Sequence, residues 1–283
     1  METIEFESPT INEKGEIIAR TRHSAEQFTE DLGNGIIFDL IMIPASMYQM
    51  GSPPHQGNPD EHPQHFVTIK TFMMGKFLVT QAQWKAVMGK LPPCRFKGDN
   101  LPVERVSWDD AQKFCQRLSK RTGRNYHLPS ETQWEYACRA GTYTPFSFGA
   151  TLTTDLANFN GEHIFRDEPR GIYFHSTSEG GKFPPNAFGL YDMHGNLWEW
   201  CEDTWLDDYS SSPRDSSSYQ NNNSHYRVAR GGSWHEPANL CRSAARIRFL
   251  QSDADEYVGF RVVCDVPESP LPLGDSETEG GLG

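Results

Sequence analysis

The 283-residue chain has no apolar run near the roughly 18 residues that a membrane span needs. It has no CxxC pair, so its six cysteines (Cys94, Cys115, Cys138, Cys201, Cys241 and Cys264) do not show the spacing of a structural zinc site. It also lacks Gly-x-Ser-x-Gly, P-loop and Gly-x-Gly-x-x-Gly strings, which removes the common nucleophile-elbow and phosphate-cradle chemistries. The opening Met1-Glu2-Thr3-Ile4-Glu5-Phe6-Glu7 carries neither a basic stretch nor an apolar core, so no signal peptide is read there. The expected compartment is therefore the cytoplasm, where the six thiols stay reduced, buried and inert. Basic residues are scarce: 26 Lys and Arg stand against 38 Asp and Glu, for a net charge of −12. That balance argues against nucleic-acid and anionic-membrane partners, which need a dense cationic surface.

What is present is the composition of a folded protein, with 36% hydrophobic, 23% charged and 12% aromatic residues. The first 33 residues are polar and weakly patterned and read as an arm or linker with little structure. Residues 266–283, rich in Pro, Gly, Ser and acid, read as a disordered tail. Residues 34–265 between them read as one domain, with no linker and no fixed repeat.

Within that body Ile36–Pro44, His65–Ile69 and Phe72–Leu78 have the makings of strands. Capping boxes at Thr80-Gln81-Ala82-Gln83 and Ser130-Glu131-Thr132-Gln133, and a near one at Ser107-Trp108-Asp109-Asp110, predict three helix starts. Trp108, Ala111, Phe114, Cys115 and Leu118 recur at helical spacing and predict a core-facing stripe. After Ala140-Gly141 the periodicity fades for about ninety residues, a length of irregular chain that functional or ion-held loops explain best. Strands return at Tyr226–Ala229 and Tyr257–Cys264.

Six motifs then occur in order: Leu101–Trp108 (LPVERVSW), Leu128–Tyr136 (LPSETQWEY), Asn186–Trp200 (NAFGLYDMHGNLWEW), Arg230–Trp234 (RGGSW), Arg242–Arg246 (RSAAR) and Gly259–Arg261 (GFR). Over roughly residues 36–264 the chain resembles the sulfatase-modifying-factor, or formylglycine-generating-enzyme, family. The resemblance implies an α+β fold: a compact C-type-lectin-like domain with much irregular structure, often carrying calcium. Its enzymes oxidise a client sulfatase cysteine with O₂ and Cu(I) held by two thiolates, a soft ion's preferred ligands. Here the segment reads Gly231-Gly232-Ser233-Trp234-His235-Glu236-Pro237-Ala238-Asn239-Leu240-Cys241. Counted from Gly-Gly-Ser, the first family cysteine falls on Glu236 and the second on Cys241. The stretch up to Arg246 is also three residues shorter than in catalytic members, and counted backwards Cys241 loses its match. Cys241 is expected as a packed thiol, with Cys264 a candidate neighbour. A disulfide from Cys264 to Cys241 or Cys115 fits the spacing but not the redox poise of the cytoplasm.

The resemblance also implies a calcium site from the side chains of Asp192 and Glu199 with the carbonyls of Gly195 and Leu197, hard oxygen donors suited to Ca²⁺. A second family site, near Asn158-Phe159 and Gly171–Phe174, has Ile172 where a carboxylate belongs. His62 and His65 are separated by Pro63 and are not expected to bind metal. There is no His-x-x-x-His-x-Glu string of the related iron-dependent sulfoxide synthases.

Two functions remain in view. The first is a non-catalytic module that binds a protein or peptide ligand through the cleft between Gly231 and Arg261. Its candidate contacts are Trp234, His235, Glu236, Asn239, Arg242, Arg248, Phe249 and Tyr257, rich in the aromatics and Arg that interface centres favour. Retroelement-diversified members of the fold vary their ligand contacts in the same region. Arg246 and Arg261 are expected to pair with internal carboxylates instead. The second is an oxidase making formylglycine at an altered copper site, with Cys241 and Ser233 as its catalytic residues and Trp198 kept beside the cleft.

Overall fold

The computed structural model describes residues 1–266. In chain order the strands are β1 (Glu2–Ile11), β2 (Ile17–Asp31), β3 (Ile37–Ile43), β4 (Ser46–Met50), β5 (His65–Ile69) and β6 (Phe72–Gly75). Helices α1 (Gln81–Met88) and α2 (Trp108–Thr122) follow, then β7 (Tyr126–His127) and α3 (Glu131–Arg139). After a long gap come β8 (Trp198–Thr204), β9 (Tyr226–Arg230), β10 (Arg246–Leu250), β11 (Val258–Gly259) and β12 (Val263–Asp265). An antiparallel sheet ordered β1-β2-β3-β6-β12-β7 backs the domain. A second sheet, β10-β9-β8-β11, carries the Trp-Glu-Trp and Arg-Gly-Gly-Ser motifs, and β4-β5 forms a separate ribbon. This is the mixed α+β, C-type-lectin-like architecture expected. Among the described residues no helix is long and apolar enough to cross a membrane.

Local chemistry explains the helices well. Thr80, Ser107 and Ser130 each accept a hydrogen bond from the backbone N–H three residues on, and Gln83, Asp110 and Gln133 reach back to the cap amide. These reciprocal bonds satisfy donors that a helix start leaves free. In α2 the buried set is Ala111, Phe114, Cys115 and Leu118, as the spacing predicts.

The reading of residues 1–33 as an arm with little structure is corrected. β1 and β2 pair over most of that stretch, and β2 continues into the main sheet by pairing with β3. Half-buried Ile4 and Phe6 alternate with exposed Glu5 and Glu7, a period-two pattern diluted by charge. Ile11 is buried, and its N–H donates to the Phe148 carbonyl at 2.8 Å. Of the tail read as disordered, residues 267–283 lie outside the described residues.

From Ala140 to Leu197 the chain forms no helix or named strand. Buried side-chain amides satisfy backbone groups there. Asn186 donates to the Ala137 carbonyl at 2.8 Å and accepts from the amides of Phe188 and Leu190. Asn196 donates to the Ser178 carbonyl and accepts from the Ser178 amide, both at 3.0 Å.

A buried ionic frame ties the second sheet to α3, all nine residues of which are buried. Arg246 clamps Glu131 through Nε at 2.6 Å and Nη2 at 2.9 Å. Arg230 pairs with both Glu131 and Glu135, and Arg139 donates from Nε to Glu135 at 2.9 Å. Arg261 grips Glu199 through Nε at 2.6 Å and Nη2 at 2.8 Å, while Trp134 Nε1–H donates to the same carboxylate at 3.0 Å. Arg246 and Arg261 thus pair internally.

Asp203 lies beside this frame, accepting from the amides of Glu131 at 2.7 Å and Tyr219 at 2.8 Å. Burial, with the charge of Glu131 adding to it, pushes its carboxyl up to about 8 from the ordinary 3.8. The folded chain therefore holds a proton that the unfolded chain releases between those values, and stability falls as pH rises from about 4 to about 8. In urea unfolding at pH 5 and pH 8, Asp203→Asn should lose less stability across that interval than the unchanged protein. Equal losses would contradict the assignment.

Candidate functional site

The site is built around the tight turn at Gly231-Gly232, with φ of 98° and 77°. A Cβ at Gly231 would stand 2.9 Å from Trp134 Cζ2, and one at Gly232 would strike Cys241 Sγ. Only glycine lets β9 turn so sharply against α3 and the Cys241 segment. The turn places Ser233 and Trp234 inside and His235 at the surface.

Trp234 is only 3% exposed and packs with Leu78 and Leu197. Its ring meets Phe96 edge-on at 5.6 Å and Tyr257 at 5.2 Å. His235 lies 5.0 Å from Tyr257 and is tied through Nδ1 to Tyr173 Oη at 2.6 Å. Tyr173 in turn stacks near His175 and Trp234. These rings form one aromatic wall, with burial holding the Tyr173 and Tyr257 hydroxyls above their ordinary range. Next to it a cavity of about 410 Å³ is lined by Asn160, His163, His235, Glu236, Pro237 and Asn239. Glu236 accepts from Trp198 Nε1–H at 3.5 Å. A second cavity of about 450 Å³ shares Asn239 and runs past Arg242 to Ser52, Gln56 and Asn58. Exposed Ile164, Ile172 and Tyr143 belong to the segments that line or flank these cavities.

The structure brings together His235, Glu236, Asn239 and Tyr257, buries Trp234 behind them instead of presenting it as the expected ligand contact, and separates the others. Arg242 grips buried Glu61 at 2.6 and 2.8 Å and gives its Nε–H to the Asn239 carbonyl, so its donors are engaged inside the wall. Arg248 reaches Asp207 at 3.2 Å on the outer face of β10, and Phe249 packs edge-on against Trp200. Both lie on the strand after the cleft segment. Tyr173, Asn160 and His163, which complete the cleft, sit in the long irregular region, where no periodicity marks them.

Cys241 is fully buried, with Sγ directed to the Pro237 carbonyl at 3.7 Å, and burial pushes its thiol far above the ordinary value. Cys264, one candidate neighbour, lies instead in β12, in a different core cluster. All six thiols are free and buried, so neither open disulfide pairing forms. Ser233 is fully buried, and its Oγ accepts the His235 amide at 3.3 Å. Two thiolates facing a shared space are what Cu(I) requires, and these residues do not fit it.

The calcium quartet also departs from expectation. Glu199 gives both oxygens to Arg261 and receives Trp134, so a guanidinium occupies the place of an ion. The Gly195 carbonyl accepts the Leu197 amide at 3.0 Å. Asp192 is buried without a hydrogen bond of good geometry to either oxygen, although Asn196 and the Gly181 amide lie near it. Burial pushes its carboxyl up to about 7, with Arg261 opposing the shift. With Glu199 held by Arg261, the four residues as arranged do not fit calcium. Among the described residues no three His, Cys, Asp or Glu side chains converge at metal-binding distance.

Fold and motif together define a domain of the formylglycine-generating type. The family model described as "Sulfatase-modifying factor enzyme 1-like domain" matches residues 31–266, and the chain belongs to that family. It is similar to the bovine (Bos taurus) protein named inactive C-alpha-formylglycine-generating enzyme 2, at 26% identity over 86% of this chain and 93% of that one. It is 32% identical to the formylglycine-generating enzyme of Thermomonospora curvata over 66% of this chain and 63% of that enzyme. Among solved structures it resembles PvdO from Pseudomonas aeruginosa, at 32% identity and a TM-score of 0.73, covering 84% of this chain and 98% of that one.

The packing of Trp234 separates a wall residue from a contact residue. Trp234→Ala should cost about 3–5 kcal/mol in urea unfolding, the usual loss for a buried aromatic. His235→Ala should stay within about 0.5 kcal/mol, as at an exposed site. Equal effects would contradict the division.

Proposed function

We propose that this chain is a non-catalytic member of the formylglycine-generating-enzyme family that binds a protein or peptide ligand through the cleft between Gly231 and Arg261. The observation that carries the reading is the donor set. Glu236 stands where the first thiolate of the copper site would be, held by Trp198, and Cys241 is packed against its own loop with its thiol kept protonated. A buried thiol of that kind is a poor nucleophile and a poor ligand. The cleft keeps the features of a recognition surface: an aromatic wall, two adjoining cavities and exposed apolar residues near their rims. A similar protein carrying the name of an inactive enzyme supports the same reading. The oxidase alternative rests on the similarity to formylglycine-generating enzymes. It would need Cys241 to turn outward and a second soft ligand to replace Glu236.

Anaerobic Cu(I) titration against a chromophoric competitor tests this. The purified protein should leave the competitor's copper untouched, and Cys241→Ala should behave identically. Stoichiometric Cu(I) uptake that Cys241→Ala abolishes would establish the oxidase instead.

A further inference from the structure

We propose that the open edge of β4 takes an extended segment of the polypeptide ligand by strand addition, with one apolar side chain entering the cavity beside it. This rests on the reading of the cleft as a polypeptide site and adds a second contact to it. Among the described residues β4 pairs with β5 alone. Opposed residues of an antiparallel pair alternate between facing each other and facing away with their peptide groups. The Thr68 N–H donates to the Arg214 carbonyl at 2.9 Å, away from β4, so the Met47–Thr68 pair is one that faces away. Gln49–Phe66, two residues on, is another. The N–H groups of Met47 and Gln49 and the Gln49 carbonyl thus point outward and have no partner among the described residues. Other edge strands are guarded: β1 carries Glu2, Glu5, Glu7 and Pro9, and β10 carries Arg246 and Arg248. β4, Ser-Met-Tyr-Gln-Met, has neither charge nor proline, and Met47 is 62% exposed.

A cavity of about 240 Å³ runs along this edge, between Ser46–Gln49 on one side and Tyr136, Tyr143 and Phe188 on the other. The Tyr136 ring lies 5.3 Å from that of Tyr48 and 5.4 Å from that of Phe188. The Tyr48 and Tyr136 hydroxyls already donate to the Thr132 and Pro44 carbonyls, at 2.8 and 3.0 Å, so the rings leave no polar demand unmet. The single charged lining group, Arg139, is held by Glu135 and the Gly51 carbonyl. The cavity therefore suits an aromatic or branched aliphatic side chain, and the peptide groups beside it suit an extended backbone. An added residue opposite Tyr48 would send its side chain to the same face as Tyr48, towards these rings. Continuity with the cleft names the occupant. This cavity shares Arg139 and Tyr143 with the 450 Å³ cavity, which shares Asn239 with the one beside His235. A second copy paired through its own β4 would offer the cavity only its Tyr48, which is buried and hydrogen-bonded in its own core.

The test uses the full chain and the acetylated, amidated peptide Lys-Thr-Val-Phe-Val-Thr-Lys. Its controls carry Ala for Phe, or N-methyl groups on both valines or on the phenylalanine, at unchanged charge. Binding is read by calorimetry and by the shifts and hydrogen exchange of the Met47 and Gln49 amides. The Phe peptide should bind at least tenfold more tightly than the Ala peptide and slow exchange at both amides. Successive N–H groups of a strand point to opposite edges, so one of the two methylations should abolish binding and the other leave it within twofold. Gln49→Pro removes an outward donor and no ribbon bond, and should weaken binding at least tenfold in a folded protein. Should that variant not fold, Ser46→Trp, at an exposed lining position, should fill the cavity with the same loss. His235→Ala, in the cleft, should leave the affinity unchanged. Equal binding of the Phe and Ala peptides would overturn the cavity assignment, and equal effects of the two methylations would overturn strand addition. Met47 and Gln49 amides that no probe perturbs would overturn both. Dimerisation in sedimentation that Gln49→Pro abolishes would assign the edge to a second copy and overturn the ligand. Copper uptake through Cys241 would fail the reading of the cleft itself and is measured separately.

Discussion

Two carboxylates one helical turn apart on α3, Glu131 and Glu135, pair with three guanidiniums in the interior of the domain. A buried charge is tolerable only when paired and hydrogen-bonded, so each partner fixes the position of the others. Arg230 and Arg246 come from β9 and β10, which flank the Gly231–Ala245 loop. The ionic frame therefore anchors both ends of the cleft segment to α3. The Arg261–Glu199 clamp does the same for the Gly-Phe-Arg motif at the far side. A domain with 58 consecutive residues outside helix and strand needs such fixed points, because few ladder hydrogen bonds hold that chain.

The frame also decides what the buried carboxylates are free to do. Glu199, Glu131, Glu135 and Glu61 are all consumed by guanidiniums. Glu236 is the cleft carboxylate left without a cation among the described residues. Substituting a carboxylate for a thiolate at that position changes the site from one suited to a soft metal to one suited to a hydrogen-bonding or cationic group. Burial of Cys241 acts in the same direction, because a desolvated thiol resists ionisation.

The parts of this arrangement that depend on near neighbours are legible in the sequence. Thr80, Ser107 and Ser130 announce their helices because a cap and its partner lie three residues apart. Pairings across long separations are not. Glu199 reads as an ion ligand from its own motif, and Arg261 reads as an interior pair from its own; only the fold makes them partners. β8 escapes notice because Trp198–Cys201 is buried on both faces and shows no alternation. β1 and β2 escape for the opposite reason, since their exposed positions carry so much charge and threonine that the apolar beat of Ile4, Phe6 and Phe28 is masked. At the cleft, Trp234, His235, Glu236 and Tyr257 are readable from the Gly-Gly-Ser loop. Tyr173 and His163 enter from a segment with no regular pattern, and Arg248 and Phe249 leave because the strand after the loop turns them to other faces.

The claim on which the functional account stands is that no thiolate faces the cleft. Alkylation of the native protein by iodoacetamide, counted by mass spectrometry against the unfolded chain, measures this directly. The account predicts no modification of the six cysteines while the protein is folded and six once it is unfolded. Rapid, selective labelling of Cys241 in the folded protein would contradict it.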